Sequence, residues 1–312
     1  MSNAARLGPA APTTAGAAGP GRWAVAAVAG AIVIGTSAVL IRLSGESPAT
    51  VAFFRCAGAL PPLLALAWAE RRVKGPRTGR GWSLLAGGFF GITLVLQNYA
   101  IAALGAGIAT VLSNLQVLFV AVAGWALFAE RPSARYFFAL PPALFGVLLV
   151  SGALDSSPGA VTAAGVGLGV LTSAAYATFM LVVKRSQREN SGHVVGPLAE
   201  ITAVALAVAA VYGLLRGDLD VTPAWPAWGW LLLLAWGPQL VGWLLITVSM
   251  KRLPIALAAL VLLLQPLVAM VLGVVVLGER LSAAQCAGCA VLVLSVLAAA
   301  SRKTEKRLPR PE

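Results

Sequence analysis

Two stretches of the sequence resemble each other and decide how the chain is organised. They read LGAGIATVLSNLQVLFVAVAGWALFAERPS at residues 104–133 and LPIALAALVLLLQPLVAMVLGVVVLGERLS at residues 253–282. Shared leucines and alanines are common among apolar helices, so the polar matches at one constant offset carry the alignment. The aligned polar pairs are Gln116 with Gln265, Glu130 with Glu279, and Arg131 with Arg280. We interpret these pairs as structural positions of an internal repeat.

The composition excludes a soluble protein. Only 11% of the residues are charged and 59% are hydrophobic, whereas a soluble domain carries about a quarter charged residues. The net charge of +12 does not indicate nucleic acid binding, because the basic residues lie between apolar runs and do not interleave with aromatic residues. Attraction to anionic lipid headgroups explains them better. The chain is therefore predicted to be a polytopic membrane protein whose surroundings are the lipid bilayer.

Apolar runs of about 20 residues, the length that spans a bilayer as a helix, divide the chain. A β-barrel is disfavoured because its strands are shorter and alternate in polarity. Between a disordered tail at 1–22 and a basic tail at 301–312 we predict a first half at 23–152, a linker at 153–161 and a second half at 162–300. The ten predicted spans are 23–43, 48–69, 82–103, 107–129, 133–152, 162–183, 194–215, 227–249, 254–277 and 281–300.

The orientation of the chain follows from its basic residues. With ten spans, nearly every Lys and Arg in the loops and tails falls on one side, and only Arg42, Arg216 and Arg280 fall on the other. Because cytoplasmic loops are enriched in basic residues, we predict that both termini are cytoplasmic. Arginine outnumbers lysine, and alanine and glycine are abundant, which favours a bacterial cell (inner) membrane.

The repeated stretches cover spans four to five and nine to ten, so the repeat unit is five spans. Since five is odd, the second half must cross the membrane in the opposite direction to the first. The predicted fold class is therefore an all-α integral membrane protein with ten transmembrane helices in a 5+5 inverted-topology repeat. Many secondary transporters have inverted repeats, with the substrate site near the midplane of the bilayer.

The repeat ends FAERPS (128–133) and LGERLS (277–282), together with NYAIAALGAGIATVL (98–112) and SMKRLPIALAALV (249–261), resemble the drug/metabolite transporter superfamily, and its EamA-type branch in particular. The resemblance implies a transporter of small metabolites. One position departs from the family pattern. Pro266 follows Gln265, but Val117 follows Gln116, so we expect a bend in the ninth span more than in the fourth.

Polar side chains within spans tend to face protein or a water-filled cavity. In the eighth span Trp236, Gln239 and Trp243 are spaced to share one helical face, where two indoles could flank a ligand and the amide could bind its polar end. A helix–helix contact explains the same spacing equally well. The other substrate-binding candidates are Tyr176 in the sixth span, Asn114 in the fourth, Ser37 in the first, and Gln97 and Asn98 in the third.

Two ionisable residues lie well inside predicted spans. We expect Arg55 to extend to the outer headgroups, which leaves the midplane without a cation and favours a neutral, zwitterionic or amphipathic cargo. Glu200 is the coupling candidate if transport uses protons. Facilitated diffusion and sodium coordination by backbone carbonyls are the alternatives.

These patterns favour a secondary transporter that moves a small metabolite, such as an amino acid or a related compound, by alternating access and in the direction of export. A channel or a membrane scaffold without transport is the alternative. An intramembrane enzyme is least supported, since the sole histidine, His193, lies in a predicted loop and no nucleophile–base pair is evident. We predict no catalytic residue, no metal and no cofactor. The only predicted ligand is a small-molecule substrate, and the chain is expected to be a monomer or a homodimer.

Overall fold

The computed structural model describes residues 20–76, 79–129, 132–151, 162–189, 192–278 and 282–300. Every regular element in these ranges is a helix. Eight helical stretches are long and apolar enough to cross a membrane, and Ala134–Val150 and Ala283–Ala299 are shorter apolar helices. The prediction of an all-helical membrane fold is therefore confirmed at this level.

Several predicted features lie outside the described residues. These are residues 1–19 of the first tail, all of the predicted linker, the tail at 301–312, and the repeat residues Glu130, Arg131, Glu279 and Arg280.

The helices follow the chain in this order: α1 Pro20–Gly35, α2 Ser37–Ser44, α3 Pro48–Lys74, α4 Arg80–Asn114, α5 Gln116–Phe128, α6 Ala134–Val150, α7 Ala163–Glu189, α8 Val195–Arg216, α9 Ala227–Leu234, a π-helical segment Ala235–Gly242, α10 Trp243–Met250, α11 Ile255–Leu262, α12 Leu264–Leu277 and α13 Ala283–Ala300.

The long α4 changes direction along its course. Its contacts with α7 pair Ser83 with Ser186, Leu104 with Gly165, and Leu112 with Gly169. Along α4, the residue numbers of its partners on α7 first decrease and then increase. The helix therefore reverses direction near Leu104. The first part of α4 contains the candidate span Arg80–Ile101. The last part begins the candidate span Ala109–Phe128, which continues through α5, in agreement with the predicted third and fourth spans.

Helix breaks occur at Leu115 in the fourth span and at Leu263 in the ninth. At both breaks an amide binds the carbonyl three residues earlier, at 3.1 and 3.0 Å, which tightens the turn. Pro266 explains the break in the ninth span, because it has no N–H to donate. The fourth span also breaks, although it has no proline and the sequence favoured a bend there less than in the ninth span. There the side-chain amide of Asn114 donates to Thr110 O at 2.8 Å and so competes for a backbone acceptor.

The helix pairings repeat when the two halves of the chain are exchanged. The antiparallel partners α3 and α8 hold the middle, α6 packs on α13, and α5 packs on α11. The contact of α1 with α10 corresponds to the contact of α7 with α4. In each contact, the first span of one half packs on the third span of the other half.

Basic residues and aromatic rings gather at one end of the bundle, which we call the basic end and define by Lys74, Lys184 and Lys251. The Arg72 guanidinium lies 3.6 Å from the Trp68 ring centroid. Lys184 Nζ donates to the carbonyls of Met250 and Leu253 at 2.6 and 2.8 Å. Cations with indoles are typical of a membrane–water interface.

Candidate functional site

Three polar side chains meet near the middle of the bundle, and we call them the polar cluster: Arg55, Thr202 and Gln239. Arg55 Nε donates to Gln239 Oε1 at 2.8 Å, and Gln239 Nε2 donates to Thr202 Oγ1 at 3.4 Å. Gln239 is 1% exposed and lies near the middle of the candidate span Ala227–Met250. The cluster thus joins α3 of the first half to α8 and the π-helical segment of the second.

An aromatic wall adjoins the polar cluster and consists of Phe90, Tyr176, Phe179 and Trp243. Phe179 lies at its centre, with ring centroids 4.8 Å from Phe90, 5.1 Å from Trp243 and 5.6 Å from Tyr176. Tyr176 lies within electrostatic reach of Arg55 and close to the Gln265 side chain. Gln265, interpreted from the sequence as a structural repeat residue, therefore borders the site.

Six buried side-chain polar atoms have no hydrogen-bond partner among the described residues. Two of them are Trp243 Nε1, on an indole that is 3% exposed, and Gln116 Oε1. Leaving such a group unsatisfied costs about 1–3 kcal/mol. The Trp243 indole N–H borders the same interior as Tyr176, so it is available to a ligand or to water.

The expectation that Arg55 extends to the outer headgroups is wrong. Its guanidinium turns inward to Gln239 and Tyr176. An arginine at the centre of a transmembrane helix costs roughly 2.5–3.5 kcal/mol on insertion scales, and the bond to the Gln239 amide offsets part of that cost. The interior of the bundle therefore contains a cation, which removes the argument that the midplane is uncharged.

Trp236 does not share the buried face of Gln239 and Trp243. It is 51% exposed, and its Nε1 donates to Gly58 O at 3.2 Å. The π-helical segment, which contains Pro238, explains the difference, because its i→i+5 bonding widens the turn relative to an α-helix. The helical spacing read from the sequence does not hold across it.

Of the remaining predicted site residues, none with a described side chain is hydrogen-bonded to the polar cluster. Asn114 is buried and bonds its own helix. Ser37 Oγ donates to Ile34 O at 2.6 Å beside the break between α1 and α2. Gln97 is half-buried, and the side chain of Asn98 lies outside the described residues.

Glu200 accepts a hydrogen bond from Arg80 Nε at 2.7 Å, and its side chain is 15% exposed. The ion pair joins α8 to the start of α4. The expectation that Glu200 needs a partner or water, and that this partner is not Arg55, is confirmed.

The candidate site also contains Thr202, Phe90 and Phe179, which we did not predict from the sequence. Tyr176 and Phe179 are three residues apart, so one helical face of α7 carries both, and this spacing is a signal that could have been found. Phe90 and Thr202 occupy ordinary positions in apolar spans. Only the packing of α4 and α8 places Phe90 and Thr202 at the candidate site.

The basic end is closed by contacts between the two halves of the chain. The Glu70 carboxylate accepts hydrogen bonds from the backbone amides of Val194, Val195 and Gly196 at 2.9–3.0 Å, a favourable place for an anion at a helix N-terminus. Lys251 Nζ donates to His193 O at 2.7 Å. Burial and the neighbouring Lys74 ammonium lower the pKa of Lys251.

Two clefts on the described surface are lined by no residue of the polar cluster. One, of about 520 Å³, is lined by Trp68, Arg71, Arg72, Gly75 and Pro76 at the basic end. The other, of about 470 Å³, is an apolar groove between α4 and α8. The helices must therefore move before a ligand can reach Arg55 through either cleft.

Comparison with known proteins identifies the family. One solved structure, described only as a crystal structure of a protein, is similar with a TM-score of 0.72 and 20% identity over 90% of this chain and 96% of that one. At that identity the likeness shows the fold alone. A search of curated proteins returned no match. A model of the EamA-like transporter family matches residues 21–152 and again residues 163–301. Because the two matches together cover most of the sequence, the chain belongs to the EamA-like transporter family.

Proposed function

We propose that this protein is a secondary transporter that exports a small metabolite with polar and apolar parts by alternating access. The observation that carries the proposal is the bond between Arg55 of the first family repeat and Gln239 of the second. It supports a polar site, walled by aromatic rings, between the two repeats and deep in the bundle. Transporters with repeated halves hold their substrates at such a position.

The transport cycle we propose uses ten spans in a 5+5 inverted repeat. Three features support it: two family matches in one chain, helix pairings that persist when the halves are exchanged, and breaks at Leu115 and Leu263 in corresponding spans. Discontinuous helices commonly line the sites of such carriers. Rocking of one half against the other would open the closed basic end.

We propose a bacterial inner membrane location with the basic end and both termini in the cytoplasm. Reporter fusions at residue 1 and residue 312 are expected to show cytoplasmic activity, because the basic residues mark that side. A fusion at the loop between α2 and α3 provides the control and should report the opposite side. A tail found outside would contradict the ten-span arrangement.

A carrier and a channel differ in how flux depends on concentration. With purified protein in liposomes loaded with unlabelled amino acids and related metabolites, we expect saturable counterflow of the labelled compound. Flux that rises linearly without saturation would favour a channel. No flux above that of empty liposomes across the panel would favour a membrane scaffold. Membership of a transporter family supports transport over intramembrane catalysis.

Glu200 is the proposed coupling residue if the cycle uses protons. We expect wild-type protein to concentrate substrate under an imposed pH gradient, and Glu200→Gln to equilibrate it only. The matched control is Glu189→Gln, since Glu189 pairs with Arg185 within one helix. Equal accumulation by wild type and Glu200→Gln would reduce Glu200 to a structural partner of Arg80.

A further inference from the structure

We propose that Arg55 binds a carboxylate of the transported molecule, so that the cargo is a small carboxylic acid, zwitterionic or anionic, with an apolar part. The inference rests on the proposed transport function and narrows its substrate class. It also assigns a binding role to a residue that the sequence placed at the membrane surface.

Arg55 has no carboxylate partner among the described residues. Its side-chain hydrogen bond among the described residues is to the neutral amide of Gln239, and the titratable groups within electrostatic reach are Cys56 and Tyr176, both uncharged near neutral pH. The carboxylates of Glu70, Glu189 and Glu200 are already paired, with Lys74, Arg185 and Arg80 respectively. The Arg55 guanidinium therefore has no carboxylate among the described residues to compensate its charge inside the span.

The geometry suits a carboxylate better than another anion. The Gln239 amide engages Nε, which holds the guanidinium plane and leaves the two Nη groups for bidentate binding of a planar carboxylate. One cation offsets one negative charge, whereas a dianionic phosphate would leave a second charge desolvated.

The aromatic wall supplies the apolar half of the site. Tyr176 links the two regions, because it lies within electrostatic reach of Arg55 and its ring packs on Phe179. The Trp243 indole N–H has no acceptor among the described residues, so it can donate to a polar atom of the ligand. A molecule with a carboxylate next to an apolar group matches this arrangement.

The test compares probes that differ only in the head group. L-leucine and L-phenylalanine are measured against their carboxamides and the corresponding decarboxylated amines, by thermal unfolding of the purified full-length protein and by counterflow in liposomes. We expect at least one acid to bind wild type about 10- to 100-fold more tightly than its amide, the range for losing a hydrogen-bonded charge.

Three variants test whether Arg55 causes the preference for the acid over the amide. Arg55→Gln should remove it and Arg55→Lys should retain part of it. Gln239→Glu should abolish acid binding in a folded protein, since the new carboxylate would occupy Arg55. Arg42→Gln, at an exposed arginine of α2, is the matched charge control and should keep the wild-type preference.

The outcomes separate the anchor from the transport function. Two results would contradict the carboxylate anchor without contradicting transport. One is saturable flux with equal affinity for acid and amide. The other is an acid preference that remains in Arg55→Gln and Gln239→Glu. Acid-selective binding through Arg55 without counterflow would support the anchor and count against transport. Absence of both binding and flux for every probe would count against both.

Discussion

Gln239→Leu is expected to lower saturable flux about 10- to 100-fold while the protein remains folded and inserted. The leucine fills nearly the same volume but cannot accept from Arg55 Nε or donate to Thr202 Oγ1. Leaving a buried charged donor without its acceptor costs about 1.5–3 kcal/mol, and each 1.4 kcal/mol is a factor of ten. The measurement is the initial rate of counterflow, normalised to the amount of protein recovered in the liposomes.

Gln187→Leu is the matched control for this substitution. Gln187 is 4% exposed, and both polar atoms of its side chain lack a partner among the described residues. It lies toward the basic end of α7, so replacing it should leave flux unchanged and should not lower stability. If Gln239→Leu loses flux only in proportion to lost protein, Gln239 is a packing residue.

Membrane spans could be predicted well from the sequence because the physical signal is strong and local. A helix that crosses hydrocarbon needs about 20 apolar residues, and the ends of α3 and α8 carry charges that cannot be buried cheaply. The break at Leu115 could not be predicted in the same way. It accompanies an asparagine bonding its own backbone, and nothing in the sequence distinguishes that bond from an outward-facing amide.

The site was predictable only in part. Gln239, Trp243 and Tyr176 stand out as polar or amphipathic residues within apolar spans, and they lie in or beside the polar cluster. Trp236 was misplaced because a π-helical segment changes the spacing along the helix. Arg55 was misplaced because a long side chain two turns inside a helix can extend either toward water or toward the bundle interior. The direction of the Arg55 side chain depends on the Gln239 acceptor, which lies on another helix.

The largest effect on stability is expected from substitution of Gly87 in α4, whose neighbour Gly88 has different surroundings. A Cβ at Gly87 would lie 2.7 Å from Ile201 O and 2.7 Å from Val204 Cβ on α8, whereas a Cβ at Gly88 would meet nothing within 4 Å. Small residues let membrane helices approach closely. Gly87→Leu must therefore push α4 away from the α8 backbone, which cannot move as a flexible side chain can. We expect it to destabilise the fold by about 3 kcal/mol, the upper part of the usual range for overpacking.

Gly88→Leu makes the same chemical change one residue along the same helix, so helix propensity and added hydrophobicity are matched. It should leave the thermal unfolding midpoint in detergent near that of wild type, while Gly87→Leu should lower the midpoint and the yield of monodisperse protein. Separation of α4 from α8 would also disturb the site, since α4 carries Phe90 and α8 carries Thr202. Gly87→Leu is therefore expected to lose transport together with stability, in contrast to Gln239→Leu, which should lose transport alone. Equal stability of the two glycine variants would contradict the close approach of α4 and α8 on which the position of Thr202 beside Gln239 depends.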